Sequence, residues 1–235
     1  MLINLSLYQP KNTDVAIVID LLRASTTIIK SLETFNKVKP VNIEDEKIIQ
    51  LSKKHNAILA GERKRSKIKG FDLSNSPKDI QNYEGELLIL KTTNGTKVLE
   101  NIQKKYENAI ILIGSSINAE EIAKKIIQLN KEKVELVMAG RRQTFAIEDY
   151  VGAGIIINEI IKASKTTKID LELTEYAKTA QIVTKDLKLS QELIEDSTSA
   201  KKLRLLNAGE DVEICKQINK STIVPIYKNK IITQY

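Results

Sequence analysis

The sequence predicts an α/β protein: three layers around a mainly parallel central sheet, plus a helical C-terminal portion closed by a short β-hairpin. Three observations lead there. Short apolar runs without alternation, such as Val15–Ile19 and Ile110–Ile113, read as strands buried on both faces of a parallel sheet. Segments of helical period separate these runs, the order expected of β-α units. Beyond about residue 171 the pattern turns almost wholly helical and then ends in two short apolar runs.

Taken in order, residues 2–7 (Leu-Ile-Asn-Leu-Ser-Leu) alternate and read as an edge strand. After strand 15–19 comes a helix over about 24–35, with Ile28, Ile29 and Leu32 on its apolar stripe. A short strand covers 38–43, broken by Pro40, and a helix covers 45–55. Strand 57–60 ends at Gly61 and Glu62, and residues 61–77 then form the longest stretch without periodicity. Such loops inside a compact domain commonly carry function. Strand 87–90 runs through Lys-Thr-Thr-Asn-Gly-Thr (91–96) into a helix over about 96–105. Strand 110–113 ends at Gly114 and Ser115, and Asn118 with Glu121 three residues on reads as the N-cap of a helix to about 130. Strand 134–138 precedes Ala-Gly-Arg-Arg (139–142), and Glu148 and Asp149 open a helix to about 163, where their charge also suits the macrodipole. Residues 171–207 read as helix with breaks near Ser190 and Ser197, and 211–217 as a short helix. Runs 222–227 and 230–233 pair as a hairpin across Lys228 and Asn229. The chain is expected to be one unit, with subdomains 1–165 and 166–235 as the alternative.

With 42% hydrophobic and 29% charged residues, the composition is that of a globular protein. No apolar run approaches the roughly 18 residues of a membrane span, and no secretory signal pattern opens the chain, so a cytoplasmic location and no membrane partner are expected. A single cysteine, Cys215, excludes an internal disulfide and a multi-cysteine zinc site. It reads as a small buried hydrophobe, and His55 as a helix-end residue. Net charge +7 admits nucleic acid or a small polyanion. Aromatic residues are only 4% with no Trp, so base-stacking platforms are poorly supplied. A nucleic-acid surface built on the basic segment 63–69 would also leave Asp20, Glu62, Asp72 and Glu148 without a role. No nucleic-acid partner is expected.

Parallel strands put their carboxyl ends on one edge of a sheet, where ligands bind. Asp20, Gly61-Glu62, residues 92–96, Gly114-Ser115 and Gly140-Arg141 would meet there. Around Asp20 stand Arg23, Ser25, Thr26 and Thr27 at a helix start, a set suited to an anion together with a metal ion. Thr92, Thr93, Asn94, Gly95 and Thr96 form a plausible anion nest without the Walker pattern, so no nucleoside triphosphate is implied.

Several segments occurring across the whole chain together carry a resemblance. They are Asp-Leu-Leu-Arg-Ala-Ser-Thr-Thr (20–27), Gly-Glu (61–62), Gly-Phe-Asp-Leu-Ser-Asn-Ser-Pro (70–77), Thr-Thr-Asn-Gly-Thr (92–96), Gly-Ser-Ser-Ile-Asn-Ala (114–119), Glu-Asp (148–149), Asp-Val-Glu-Ile-Cys (211–215) and Val-Pro (224–225). The set resembles the 2-phosphosulfolactate phosphatase family (ComB). The resemblance implies a magnesium-dependent phosphatase that converts 2-phospho-3-sulfolactate to 3-sulfolactate and phosphate in coenzyme M biosynthesis. Met138 stands where the family often has cysteine, Arg141-Arg142 where smaller residues are common, and Asn219 where an acid is common. A thiolate nucleophile at 138 is thereby excluded.

Under this resemblance the partner is a small anionic phosphomonoester, the cofactor is Mg²⁺, and homo-oligomers are compatible with it. Asp20 and either Glu148 or Asp149 would hold the metal, and Glu62 or Asp72 would orient the attacking water. The catalytic set is Asp20, Glu62 and Asp72. Substrate contacts are expected from Arg23, Ser25, Thr26, Thr27, Asn75, Ser76, Thr92, Thr93, Asn94, Gly95, Thr96, Ser115, Asn118 and Arg141. Asp20 as nucleophile is the alternative. Leu22 breaks the Asp-x-Asp pattern of haloacid dehalogenase phosphatases, which disfavours that superfamily.

Overall fold

A computed structural model of the chain describes residues 1–63, 66–142 and 144–235. The apolar runs do form strands. They are β1 (Leu2–Leu7), β2 (Val15–Ile19), β3 (Phe35–Val41), β4 (Ile58–Arg63), β5 (Ser66–Lys67), β6 (Gly85–Lys91), β7 (Ile110–Ile113), β8 (Lys133–Met138), β9 (Glu172–Leu173), β10 (Pro225–Lys228) and β11 (Ile231–Gln234). Between them lie helices α1 (Thr26–Ser31), α2 (Asp45–His55), α3 (Asn94–Lys105), α4 (Ala119–Leu129) and α5 (Ile147–Thr167). The C-terminal portion adds α6 (Glu175–Val183), α7 (Leu187–Asp196), α8 (Thr198–Leu205) and α9 (Gly209–Cys215).

The central sheet is mainly parallel, in the order β5-β4-β6-β3-β11-β10-β7-β2-β8-β1-β9. Strand β2 shows why its sequence lacks alternation. Val15, Ile17 and Ile19 pack with α4 and α5, while Ala16 and Val18 pack with α1 and α3, so both faces are dry. α2 covers β4 and β6 with a smaller cluster around Ile48 and Ile89.

The hairpin closes the chain as expected, but it sits in the middle of the sheet. β10 pairs antiparallel with β7, β11 with β3, and the two with each other. Three successive reversals leave the set β4-β6-β3 running opposite to β7-β2-β8-β1. A single shared carboxyl edge is therefore not how the strand ends meet. Twist of about 20–25° per step, over the five steps from β6 to β2, turns one set by on the order of 100° against the other. Carboxyl ends of both sets consequently reach one cleft.

Several boundaries differ from the sequence reading. α1 has only six residues, because 21–25 form an irregular turn with Leu22 at φ −110° and ψ 82°. Pro40 does not break β3. The strand's bonding to β11 is confined to Val38, so the missing N–H at Pro40 faces no ladder there. The helical break falls at Asp186, which caps α7 through bonds from the Lys188 and Leu189 N–H groups, and Ser190 lies inside α7. Asn229 and Lys230, both with positive φ, make the hairpin turn one residue later than expected. Among the described residues, no helix is long and apolar enough to cross a membrane.

Candidate active site

A cleft of about 480 Å³ opens where β2, β4, β6 and β8 end. Its acids are Asp20, Glu62, Glu148 and Asp149, and its cations include Arg63, Lys91, Arg141 and Arg142. Asp20 directly follows β2 and is half-buried. Its backbone N–H donates to Ser25 Oγ (2.9 Å), and its carbonyl accepts the Ser25 N–H, closing the irregular turn. The first turn of α3 lies alongside: a Cβ on Gly95 would stand 3.5 Å from Asp20 Oδ2.

Asp149 is the clip of the cleft. It is 2% exposed, and its two oxygens accept the Leu21 N–H and the Gly140 N–H, each at 2.8 Å, tying the ends of β2 and β8 together. Burial pushes its carboxyl well above the usual range, and the nearby Asp20 and Glu148 push the same way. Glu148, also buried, has no hydrogen bond or ion pair among the described residues.

Glu62 and Arg23 reach the cleft as a pair. Arg23, 2% exposed, donates from its two terminal nitrogens to Glu62 and to Asp211 Oδ2, the latter at 2.7 Å. Ser76 Oγ and the Lys78 N–H complete the shell of Asp211. Arg63 and Lys91 both bind Asp45 at 2.5 Å. Among the described residues Arg141 and Arg142 make no ion pair, which leaves their charge for a ligand.

Of the other expected site residues, Thr92, Thr93, Asn94 and Asn75 line the cleft, and Asn75 Oδ1 is buried with no hydrogen-bond partner among the described residues. Asp72 does not join them: it is exposed, and its Oδ2 accepts the Leu59 N–H at 2.7 Å, which fastens a turn. Ser25, Thr26, Thr27, Ser76, Gly95, Thr96, Ser115 and Asn118 lie outside the lining. Thr26 Oγ1 meets Ser115 Oγ at 2.8 Å, and Thr27 Oγ1 and Thr96 Oγ1 are buried without partners. Asn118 stands at the N-cap of α4 as expected, but among the described residues its side chain makes no cap bond to that helix; it closes a capping box with Ser115 and donates to the Ile113 and Ile223 carbonyls. Cys215 is fully buried, and burial pushes its thiol up to about 12, so it is an inert packing residue.

Sequence reasoning missed Asn42, Ser199 and Lys91 in the lining and Asp211 behind it. Asp211 sits in the first turn of α9, where an acid looks like ordinary macrodipole stabilisation. Ser199 gives no local signal at all.

The chemistry of these residues bears on a magnesium ion. Asp20, Glu148 and Asp149 are oxygen donors, the first and second close enough to raise the proton affinity of Asp149, and a cation relieves that repulsion. Among the described residues, no group of three or more His, Cys, Asp or Glu is gathered tightly enough to hold a metal unaided. Mg²⁺ needs no such cage, since it takes one or two carboxylates with waters and phosphate oxygens. The donor set fits.

Comparison with known proteins gives a consistent picture. A family model described as 2-phosphosulpholactate phosphatase matches residues 3–230. The chain is 38% identical over 229 residues to the 2-phosphosulfolactate phosphatase of Methanothermobacter thermautotrophicus, covering 97% of this chain and 93% of that one. Identity to the protein of the same name from Methanocaldococcus jannaschii is 38% over 224 residues, 92% of this chain and 89% of the relative. A Clostridium acetobutylicum protein described as a probable 2-phosphosulfolactate phosphatase is 37% identical over 218 residues, with 91% and 89% covered. By this match over nearly its whole length, the chain belongs to the 2-phosphosulpholactate phosphatase family, a family of phosphoric monoester hydrolases.

Proposed function

We propose that this protein is a Mg²⁺-dependent phosphatase that hydrolyses 2-phospho-3-sulfolactate to 3-sulfolactate and phosphate, a step of coenzyme M biosynthesis. The observation that carries the reading is one cleft in which Asp20, Glu148 and Asp149 face Arg141, Arg142 and the first turn of α3. Phosphate-monoester hydrolysis is among the slowest reactions in water, so charge neutralisation must supply most of the acceleration. Mg²⁺, when bound, neutralises charge on the phosphoryl oxygens. Asp20 and Glu148 are assigned as its carboxylates, with Asp149 adding charge while holding the strand ends together.

Arg141 takes the phosphate as a bidentate donor, and the start of α3 around Asn94 favours the same anion through its free N–H groups. Glu62, held in place by its ion pair with Arg23, orients the attacking water as a hydrogen-bond acceptor. Asp72 has no part in this scheme, because its carboxylate lies outside the cleft lining.

The test is phosphate release from 2-phosphosulfolactate with and without Mg²⁺, comparing wild type with Asp20→Asn. Release should require Mg²⁺ and fall at least about 10³-fold in the variant, in line with loss of a charged group acting on the transition state. An Asp20→Asn protein of wild-type rate would refute the assignment. Release from another phosphorylated hydroxy acid alone would keep the cleft and change the substrate.

A further inference from the structure

A second cavity of about 580 Å³ adjoins the cleft and shares Thr93, Asn94 and Arg142 with it. Its remaining lining includes Tyr8, Gln9, Lys97 and Asn101 and contains no carboxylate. The two compartments therefore differ in charge: acids with cations in the first, and in the second two cations among neutral polar residues and the apolar Leu7, Val98 and Ala139. Neither Lys97 nor Arg142 makes an ion pair among the described residues.

Tyr8 is the distinctive wall. Its hydroxyl is buried with no hydrogen-bond partner among the described residues, an arrangement that calls for a ligand or an ordered water. A Cβ on Gly140 would stand 2.7 Å from that hydroxyl, so the ring lies against the residue joined to Asp149. Its backbone has φ +67°, an uncommon value for a residue with a side chain. The surrounding segment is held in place. The Tyr8 N–H bonds the Met138 carbonyl, and fully buried Glu135 accepts the Lys11 and Asn12 N–H groups. Tyr106 Oη donates to the Pro10 and Lys11 carbonyls. That anchoring makes Tyr8 a preorganised contact.

A substrate with three acidic groups places its phosphate beside the carboxylates only because a cation mediates there. In the cleft, with Arg141 engaged by the phosphate, a second anionic arm would face the carboxylates, which repel it, whereas no carboxylate lines the side cavity among the described residues. Building on the phosphatase reading, we infer that the side cavity is the subsite for the sulfonate arm, held by Lys97, Arg142 and the Tyr8 hydroxyl. Lys97 and Arg142 supply the charge, and Tyr8 supplies a neutral donor at a set position. These three residues thereby set the preference for a sulfonated substrate over the same phosphoester without the sulfonate.

Steady-state kinetics of wild type, Lys97→Gln and Tyr8→Phe on 2-phosphosulfolactate and on 2-phospholactate test this. Lys97 is exposed, so its variant carries little risk of misfolding. Each variant should raise KM for the sulfonated substrate about tenfold, the loss of one charge-assisted or buried hydrogen bond, with kcat within twofold. The ratio of kcat/KM for sulfonated over unsulfonated substrate should fall in step. An unchanged KM in both variants, or an equal rise on both substrates, overturns the subsite while leaving the phosphatase reading intact. A folded wild type that releases no phosphate from 2-phosphosulfolactate overturns that reading and this inference with it.

Discussion

Arg23 keeps its charge at 2% exposure because two carboxylates, Glu62 and Asp211, surround it and Ser76 and Lys78 satisfy the second. A buried charge stripped of one partner is expensive. Asp211→Ala should therefore destabilise the protein by roughly 3–5 kcal/mol, read as a shift of the urea midpoint. The double change Arg23→Met with Asp211→Leu should recover part of that loss. If Asp211→Ala unfolds at the wild-type midpoint, the pair does not stabilise the turn around the cleft. Asp45 offers a pH-dependent case. Its hydrogen bond to Lys91, and the charges of Lys91 and Arg63, hold its carboxyl below the usual carboxylate value. The stability it contributes is present above the unfolded value of about 3.9 and disappears as pH falls through the lower folded one. Asp45→Asn should consequently be less stable than wild type at pH 7, and the gap should narrow towards pH 3. A gap that stays constant from pH 7 to pH 3 would disprove the linkage. Asp20, Glu148 and Asp149, which the family resemblance groups as metal ligands, line one cleft. The residue-scale reading of the sequence did not separate Arg141, whose charge is available, from Arg23, whose charge is neutralised by an acid 188 residues away.

At the scale of elements, α5 shows how a helix start becomes part of a site. Its N-terminal turn carries Glu148 and Asp149 into the cleft, while Gly152 and Gly154 thin its waist. A Cβ on Gly154 would come within 2.5 Å of the Ala180 carbonyl oxygen and of Thr184 Oγ1, so α6 crosses α5 at that point. Backbone cannot yield as a flexible side chain does. Gly154→Ala should cost about 1–3 kcal/mol by overpacking, despite alanine's better helix propensity. Thermal denaturation measures it, and a raised melting temperature would show that α5 and α6 can separate without loss. The start of α5 was readable from its sequence, while its last turn, to Thr167, lies beyond the end expected near residue 163. The shortening of α1 to six residues was not readable, because Asp20, Ser25 and Thr26 spend their hydrogen bonds on an irregular turn that no periodicity announces.

For the whole molecule, the decisive feature is that the last strands in sequence lie at the centre of the sheet. β10 and β11 join two parallel sets that, among the described residues, share no other strand pairing. Deleting residues 222–235 would expose the bonding edges of β3 and β7 and remove Tyr227 and Ile232 from the core. Such a chain should lose cooperative unfolding in urea, while a variant with Asn229-Lys230 replaced by Asn-Gly should keep it, since that turn suits positive φ at both positions. A sharp, wild-type transition in the truncated chain would mean that the two sets hold together through helices alone.

The sequence by itself determined the local matters: which runs are strands, where helices alternate with them, the closing hairpin, and the acids and glycines at strand exits. These follow from interactions within a few residues, namely burial pattern, turn chemistry and caps. Only the tertiary structure decided where the hairpin inserts, that the two strand sets run opposite ways, and which cations keep their charge for a ligand. Strand order joins residues as far apart as Val38 and Ile232, and ion pairing joins residues up to 188 positions apart, and every apolar strand offers a similar edge to its neighbours. Local pattern carries no preference among those edges; the packing of the complete core selects one.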